Sequence, residues 1–221
     1  MTPFVNVLWP AGAPSAFPSR EGATSGSTSS LTHDPVLDLT ALPLTEGNVL
    51  VLSFRDEADD PHGGPSGWTK IGEAVDDVDG NDRMSCWRKT VVADEDATPA
   101  FIKQGSSRCG WVCFEYSDAH GDAEAAVGAG FTPPALTPSW GSAATTWVTA
   151  ASISASDNTL TAPTNYDGQT DGASDTNSGP TRKRTAMAQR ENAASSESPG
   201  AWSASGTYSK PITATIGVRP A

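Results

Sequence analysis

The chain has 221 residues, among them 21 Gly, 17 Pro, 25 Ser and 24 Thr against only 14 Lys plus Arg, a balance that disfavours long helices. Asp and Glu number 26, and the resulting formal net charge of −12 gives no attraction to phosphate backbones or anionic membranes. Only 37% of residues are hydrophobic, yet seven Trp and six Phe are too many for a disordered polar tract, so the chain is expected to fold as one modest-cored domain.

Met1 to Pro10 lacks both the basic start and the apolar core of a signal peptide, and no window approaches the roughly 20 apolar residues of a membrane span. The expectation is synthesis in the cytoplasm and no membrane span. Gly22 to Ser30, rich in Gly, Ser and Thr, reads as an extended arm or long loop. Residues 1–35 are accordingly read as an N-terminal arm with a possible first strand, and 36–221 as the main domain. Val36 to Leu39 and Asn48 to Phe54 read as strands joined through Glu46-Gly47. The nearly continuous apolar run Val49 to Phe54 predicts a central strand covered on both faces.

Thr69 to Val75 and Arg83 to Val91 flank Val78-Asp79-Gly80-Asn81-Asp82, and an Asp-Gly between alternating runs predicts a hairpin. Pro99 to Lys103 follows as a strand. So does Gly110 to Tyr116, bulky on both faces and therefore central. Ala123 to Gly130 suggests a helical turn or loop, and Thr132 to Pro138 must be extended around its prolines. Trp147 to Ile153 is a strand, Asp157 to Pro180 a long polar surface loop, and Thr181 to Arg190 and Ile212 to Arg219 half-buried strands. No internal repeat of fixed period is visible. Nine or ten alternating strands predict an all-β fold: a single antiparallel β-sandwich, jelly-roll-like, with long polar loops.

Catalytic signatures fail one by one. Gly64-Pro65-Ser66-Gly67 misses the G-x-S-x-G spacing, and His33, His62 and His120 have no ligating neighbour at metal spacing. Cys109 and Cys113 fall in one strand, where four positions span ~13 Å, too far for a bridge; with Cys86 they read as free, buried thiols. The acidic run Asp76 to Asp82 resembles a calcium loop in composition, but the EF-hand register puts Val75 at position one, so a solvated hairpin tip is favoured. No catalytic residue, metal site or cofactor is assigned, and the chain is read as no enzyme.

Binding candidates are therefore few. Trp9, Trp140 and Trp202 stand in Pro/Gly/Ser contexts and Tyr166 is the one aromatic of the long loop, so these four could anchor loops, dock a sugar face or meet a partner. Arg182, Lys183 and Arg184 form a basic patch in an acidic chain, suited to an acidic partner surface or to blunting a strand edge.

Gly67-Trp68-Thr69, the stretch Pro133 to Ala143, Glu197 to Trp202 and the closing Ile216 to Ala221 together resemble small β-rich structural proteins of tailed bacteriophages and prophages. The resemblance implies a virion structural protein: a capsid decoration or head-fibre component, made in the bacterial host cytoplasm and located in the virion. It would associate with other capsid or tail proteins and with copies of itself as an oligomer. The alternative is a carbohydrate-binding module of a tail tip or fibre, recognising a host-surface glycan. Nucleic acid is not an expected partner.

Overall fold

The structure is a computed structural model that describes residues 16–32, 35–57, 63–76, 78, 81–100, 107–141, 144–155, 158–173 and 183–221. Five strands build the first sheet: β1 (Ser19–Thr32), β2 (Val49–Asp56), β3 (Thr69–Val75), β4 (Arg83–Thr90) and β5 (Ser107–Ser117). The second sheet comprises β6 (Ala119–Ala129), β7 (Thr146–Ala155), β9 (Asp167–Ala173), β10 (Lys183–Glu191) and β12 (Tyr208–Pro220); β8 (Leu160–Thr161) and β11 (Ser203–Ala204) pair with each other. All pairings are antiparallel, and the two five-stranded sheets face one another as a sandwich.

The chain finishes one sheet before it enters the other, so the likeness to a jelly roll goes no further than the two antiparallel layers. More telling is the wiring. The first sheet runs β1-β5-β2-β4-β3 and the second β6-β12-β7-β10-β9, the same order when strands are counted within each half. Equivalent strands start at Ser19 and Ala119, Val49 and Thr146, Thr69 and Asp167, Arg83 and Lys183, and Ser107 and Tyr208, 97 to 101 residues apart. The likeness extends to turns. Pro65-Ser66-Gly67-Trp68 and Pro163-Thr164-Asn165-Tyr166 both close with the backbone N–H of the aromatic residue donating to the proline carbonyl, at 3.1 and 3.2 Å. Both hold a left-handed residue third, Gly67 at φ 80° and Asn165 at φ 71°, a conformation that Gly and Asn tolerate best. A repeat of about one hundred residues is thus present in the fold although composition and periodicity do not reveal it.

Three apolar layers follow from the alternation of side chains. Between the sheets lie Val51, Val112, Phe114 and Tyr116 against Val148, Met187, Ala214 and Ile216. Outside the first sheet, Leu50, Leu52, Phe54 and Trp111 are covered by Leu37, Leu39 and Trp68 from the loops. Outside the second, Ala151, Ile153, Ala186 and Ala188 lie under Leu160 and Trp202. Both faces of β2 are therefore dry, which is why its sequence runs apolar without alternation. The same covering makes β12 buried on both faces from Ile212 to Val218, not half-buried as alternation suggests. Its outward Thr213 and Thr215 hydroxyls donate to the carbonyls of Gly130 and Pro134.

Several loop readings give way to strands. Ser19–Thr32 is β1, paired with β5, rather than an arm standing apart. Ala119–Ala129 is an edge strand on β12, not a helical turn; its Ala-rich composition favours a helix, and the ladder with β12 overrides that preference. The polar segment after residue 157 contains β8 and β9. Conversely, Val36 and Ala100 form only an isolated bridge where short strands are expected, and the rest of Pro99 to Lys103 beyond Ala100 lies outside the described residues.

The four sheet edges are covered in pairs, which removes the exposed ladders that invite aggregation. β3 lies against β6, where an added Cβ at Gly72 would stand 2.6 Å from Val127. β1 lies against β9, joined by Arg20 Nη1 donating to the Gly168 carbonyl at 2.6 Å and Ser25 Oγ to the Asp171 carbonyl at 2.8 Å. On that side the Trp111 indole folds over Gly26, its register partner. A Cβ on Gly172 would stand 2.2 Å from the Trp111 carbonyl oxygen and 3.3 Å from that of Gly26. Because backbone cannot rotate away as a side chain can, Gly172→Ala is expected to lower stability by about 2–3 kcal/mol, measurable by urea unfolding.

Candidate functional site

The densest chemistry in the molecule is a buried ionic cluster at one end of the sandwich, built from both sheets. β2 supplies Arg55, the residue before β4 supplies Asp82, and β7, β10 and β12 supply Ser154, Lys183 and Lys210. Asp82 and Arg55 are inaccessible to solvent, and Lys183 is nearly so. Asp82 Oδ2 receives Arg55 Nη2 at 3.1 Å, the Ser154 hydroxyl at 2.9 Å and Lys210 Nζ at 3.4 Å. Lys183 Nζ lies 2.6 Å from Oδ1, and the Glu57 carboxylate lies 3.8 Å from that nitrogen.

Local structure places each group. Asp76 accepts the Val78 and Asp82 N–H groups at the hairpin tip, so the turn delivers Asp82 inward at the head of β4. A register shift between Ser209 and Ile212 bulges β12, and Lys210 takes the left-handed conformation there, at φ 54°, bringing its ammonium over Asp82. Its carbonyl accepts Arg55 Nη1 at 2.8 Å. Ser154 donates to Asp82 and accepts from Lys183 and Arg55 at 2.9 and 3.2 Å, which uses its one donor and both lone pairs.

The electrostatics follow from burial. Desolvation pushes the Asp82 carboxyl up, but Arg55 and Lys183 outweigh it and hold the group below its ordinary 3.8. Burial lowers both Lys183 and Arg55, with Asp82 opposing the shift in each case. The cluster can therefore do two things: lock the sheets together as ions, or exchange a proton between an amine and a carboxylate in a dry site.

Other buried acids are committed to the fold. Glu115 accepts the N–H groups of Leu44 and Thr45 at 2.8 and 2.9 Å and the Asn48 amide at 2.8 Å, fixing the loop that covers the first sheet. Glu197 holds Arg190 at 2.5 Å. Open grooves lie at roughly equivalent places in the two halves, one beside Ser66, Lys89 and Glu95 and one beside Asn165, Gln189 and Arg190.

Among the described residues, the binding candidates read from sequence do not converge. Trp202 is 3% exposed, with its indole N–H on Thr149 Oγ1 at 2.9 Å, so it offers no open ring face for a sugar or partner. Tyr166 is half-buried with the Arg190 guanidinium 5.3 Å above its ring; burial foremost, then Glu197, pushes its phenol up. Trp140 is half-buried against Gly217 and donates to Thr145 Oγ1 at 3.1 Å. Trp9 and Arg182 lie outside the described residues. The basic surface patch does not form from the other two. Lys183 points into the sandwich, and Arg184 donates to the Asn158 carbonyl. Sequence reasoning missed Arg55, Ser154 and Lys210 altogether. A lysine at an inward position of an alternating strand was the available signal at Lys183.

The three cysteines are free and buried on β4 and β5. Burial pushes the Cys86 thiol up to about 12, and Cys113 is raised by burial and by Glu115. With all three thiols buried and those of Cys86 and Cys113 held protonated, the native protein at about pH 8 is expected to leave all three unreacted with a disulfide reagent, and all three should react once unfolded.

Among the described residues no group of three or more His, Cys, Asp or Glu is placed to hold a metal ion, and no helix is long and apolar enough to cross a membrane. Set against known families, curated proteins and solved structures, the chain matches none.

Proposed function

We propose that this chain is a non-enzymatic structural protein of a tailed-phage particle, carried on the surface as a capsid decoration or head-fibre component. One observation carries the reading: the molecule's buried charge is used to hold its parts together. Asp82 joins strands of both sheets, Glu115 fixes a covering loop and Glu197 fixes Arg190, so these three buried acids are bound into the scaffold. With both outer faces covered and the edges closed in pairs, such a module suits a role that requires a fixed shape.

The resemblance to phage structural proteins supports the particle assignment, and those of its residues that the structure describes lie in turns and packing positions. Trp68 caps the outer layer of the first sheet, and Trp202 that of the second. The burial of Trp202 and the covering of Tyr166 weigh against the glycan-binding alternative. The test is peptide mass spectrometry on gradient-purified particles from the phage or lysogen that encodes the chain, with labelled-antibody electron microscopy to place it. Recovery at stoichiometric copy number on the particle exterior is expected; absence from purified particles overturns the reading.

A further inference from the structure

We propose that Lys183 and Asp82 condense spontaneously into an intramolecular isopeptide bond that joins the two sheets, with Glu57 carrying the proton. The two side chains meet across the sandwich in a buried site, with Nζ 2.6 Å from Oδ1. Cγ, bonded to that oxygen, is the atom the nitrogen must reach.

The surroundings divide the work between the two carboxylate oxygens. Oδ2 faces Arg55 Nη2, the Ser154 hydroxyl and Lys210 Nζ, three donors at 2.9 to 3.4 Å placed where negative charge gathers when an amine adds to Cγ. Oδ1 faces the amine and is the oxygen to leave. In the first step a proton passes from the Lys183 ammonium to Asp82 Oδ1; burial weakens the ammonium's hold on that proton, and the transfer turns two buried ions into two neutral groups. The free amine then forms the N–Cγ bond. A second proton leaves nitrogen through Glu57, whose carboxylate stands 3.8 Å from Nζ, and is delivered to Oδ1; the Cγ–Oδ1 bond breaks and water departs. One ammonium and one carboxylate become one amide and one water. Protons and charge balance, with no oxidant, activating nucleotide or other reactant. Arg55 keeps Asp76 and Asp56 as neighbouring negative charge after the carboxylate is consumed.

The bond would tie β10 to the head of β4 and so link the two equivalent halves of the chain at the end where the ionic cluster already joins them. It would do so with neither cysteine chemistry nor a metal. The inference stands on this geometry and is independent of the particle assignment.

Intact-mass spectrometry of the full-length protein, denatured after purification, is the deciding measurement. The wild type should weigh one water molecule less than its sequence. Proteolysis should then yield a branched peptide joining the segment around Asp82 to the segment around Lys183. Lys183→Arg should restore the full mass, and Glu57→Gln, a substitution at the partly exposed rim, should leave much of the freshly made protein at full mass. A wild-type mass equal to the sequence mass overturns the proposal and leaves the cluster as an ionic clasp. A mass deficit that persists in Lys183→Arg also overturns it. Because the wild-type mass decides by itself, the outcome does not depend on every variant folding.

Discussion

Asp82→Ala is expected to lower folding stability by about 3–5 kcal/mol. The substitution deletes the side chain on which Arg55, Lys183 and Lys210 converge and leaves three cations around a largely buried site. The magnitude comes mostly from stranding those cations, since removing one partner of a buried pair costs far more than the pair itself contributes. A urea unfolding midpoint measured beside the wild type reads the effect directly. Lys70→Ala gives the contrast: its pair with Glu73, at 2.8 Å, is partly exposed and should contribute no more than about 1 kcal/mol. A loss at Asp82 no greater than at Lys70 would show that the cluster does not hold the sheets together.

Phe114→Ala should cost a similar amount, about 3–5 kcal/mol, for an unrelated reason. Phe114 is fully buried between the sheets, edge-on to Tyr116 with ring centroids 6.3 Å apart, and the Arg20 guanidinium lies 4.7 Å from its ring centre. Truncation opens a cavity where the two halves of the chain meet, and the surrounding backbone, fixed by ladders on both sides of β5, cannot collapse into it. Calorimetry or denaturant unfolding checks the size. Val92→Ala, at a position 55% exposed, should change stability by less than about 0.5 kcal/mol.

Sequence reasoning reached the sandwich because its signals are local. The apolar run of β2, the two bulky faces of β5 and the turn between β3 and β4 each report their surroundings within a few residues. It failed where a neighbour decides. β6 is a strand because β12 supplies its ladder, and the polar β9 is a strand because β10 lies beside it on one side and β1 on the other. The hundred-residue repeat escaped for a related reason. The two halves preserve the order of strands and the shape of one turn, but Trp68 answers to Tyr166 and Gly67 to Asn165, so equivalence survives in conformation and not in letters. The ionic cluster was hidden more deeply, since Arg55, Asp82, Ser154, Lys183 and Lys210 come from five separate strands or strand ends.

Residues 18 and 221 emerge side by side. The Pro18 carbonyl accepts the Thr146 hydroxyl at 2.8 Å, Thr146 faces Val218 in register, and the Ala221 N–H donates to the carbonyl of Asp118, the single residue between the halves. The Asp82 cluster lies at the far end of the same strands, seven residues along β2, or about 23 Å away. A pulling force applied between residues 18 and 221 would therefore meet the β1–β5 ladder and the ladders of β12 with both β6 and β7 end-on. It would open their hydrogen bonds one after another, as a zipper opens, instead of shearing whole strands at once. The barrier to such peeling is low at the near end, and the far end is shielded until most of both strands have been released. Mechanical resistance would then reside in the half of the sandwich that carries Asp82, away from the point where the chain enters and leaves.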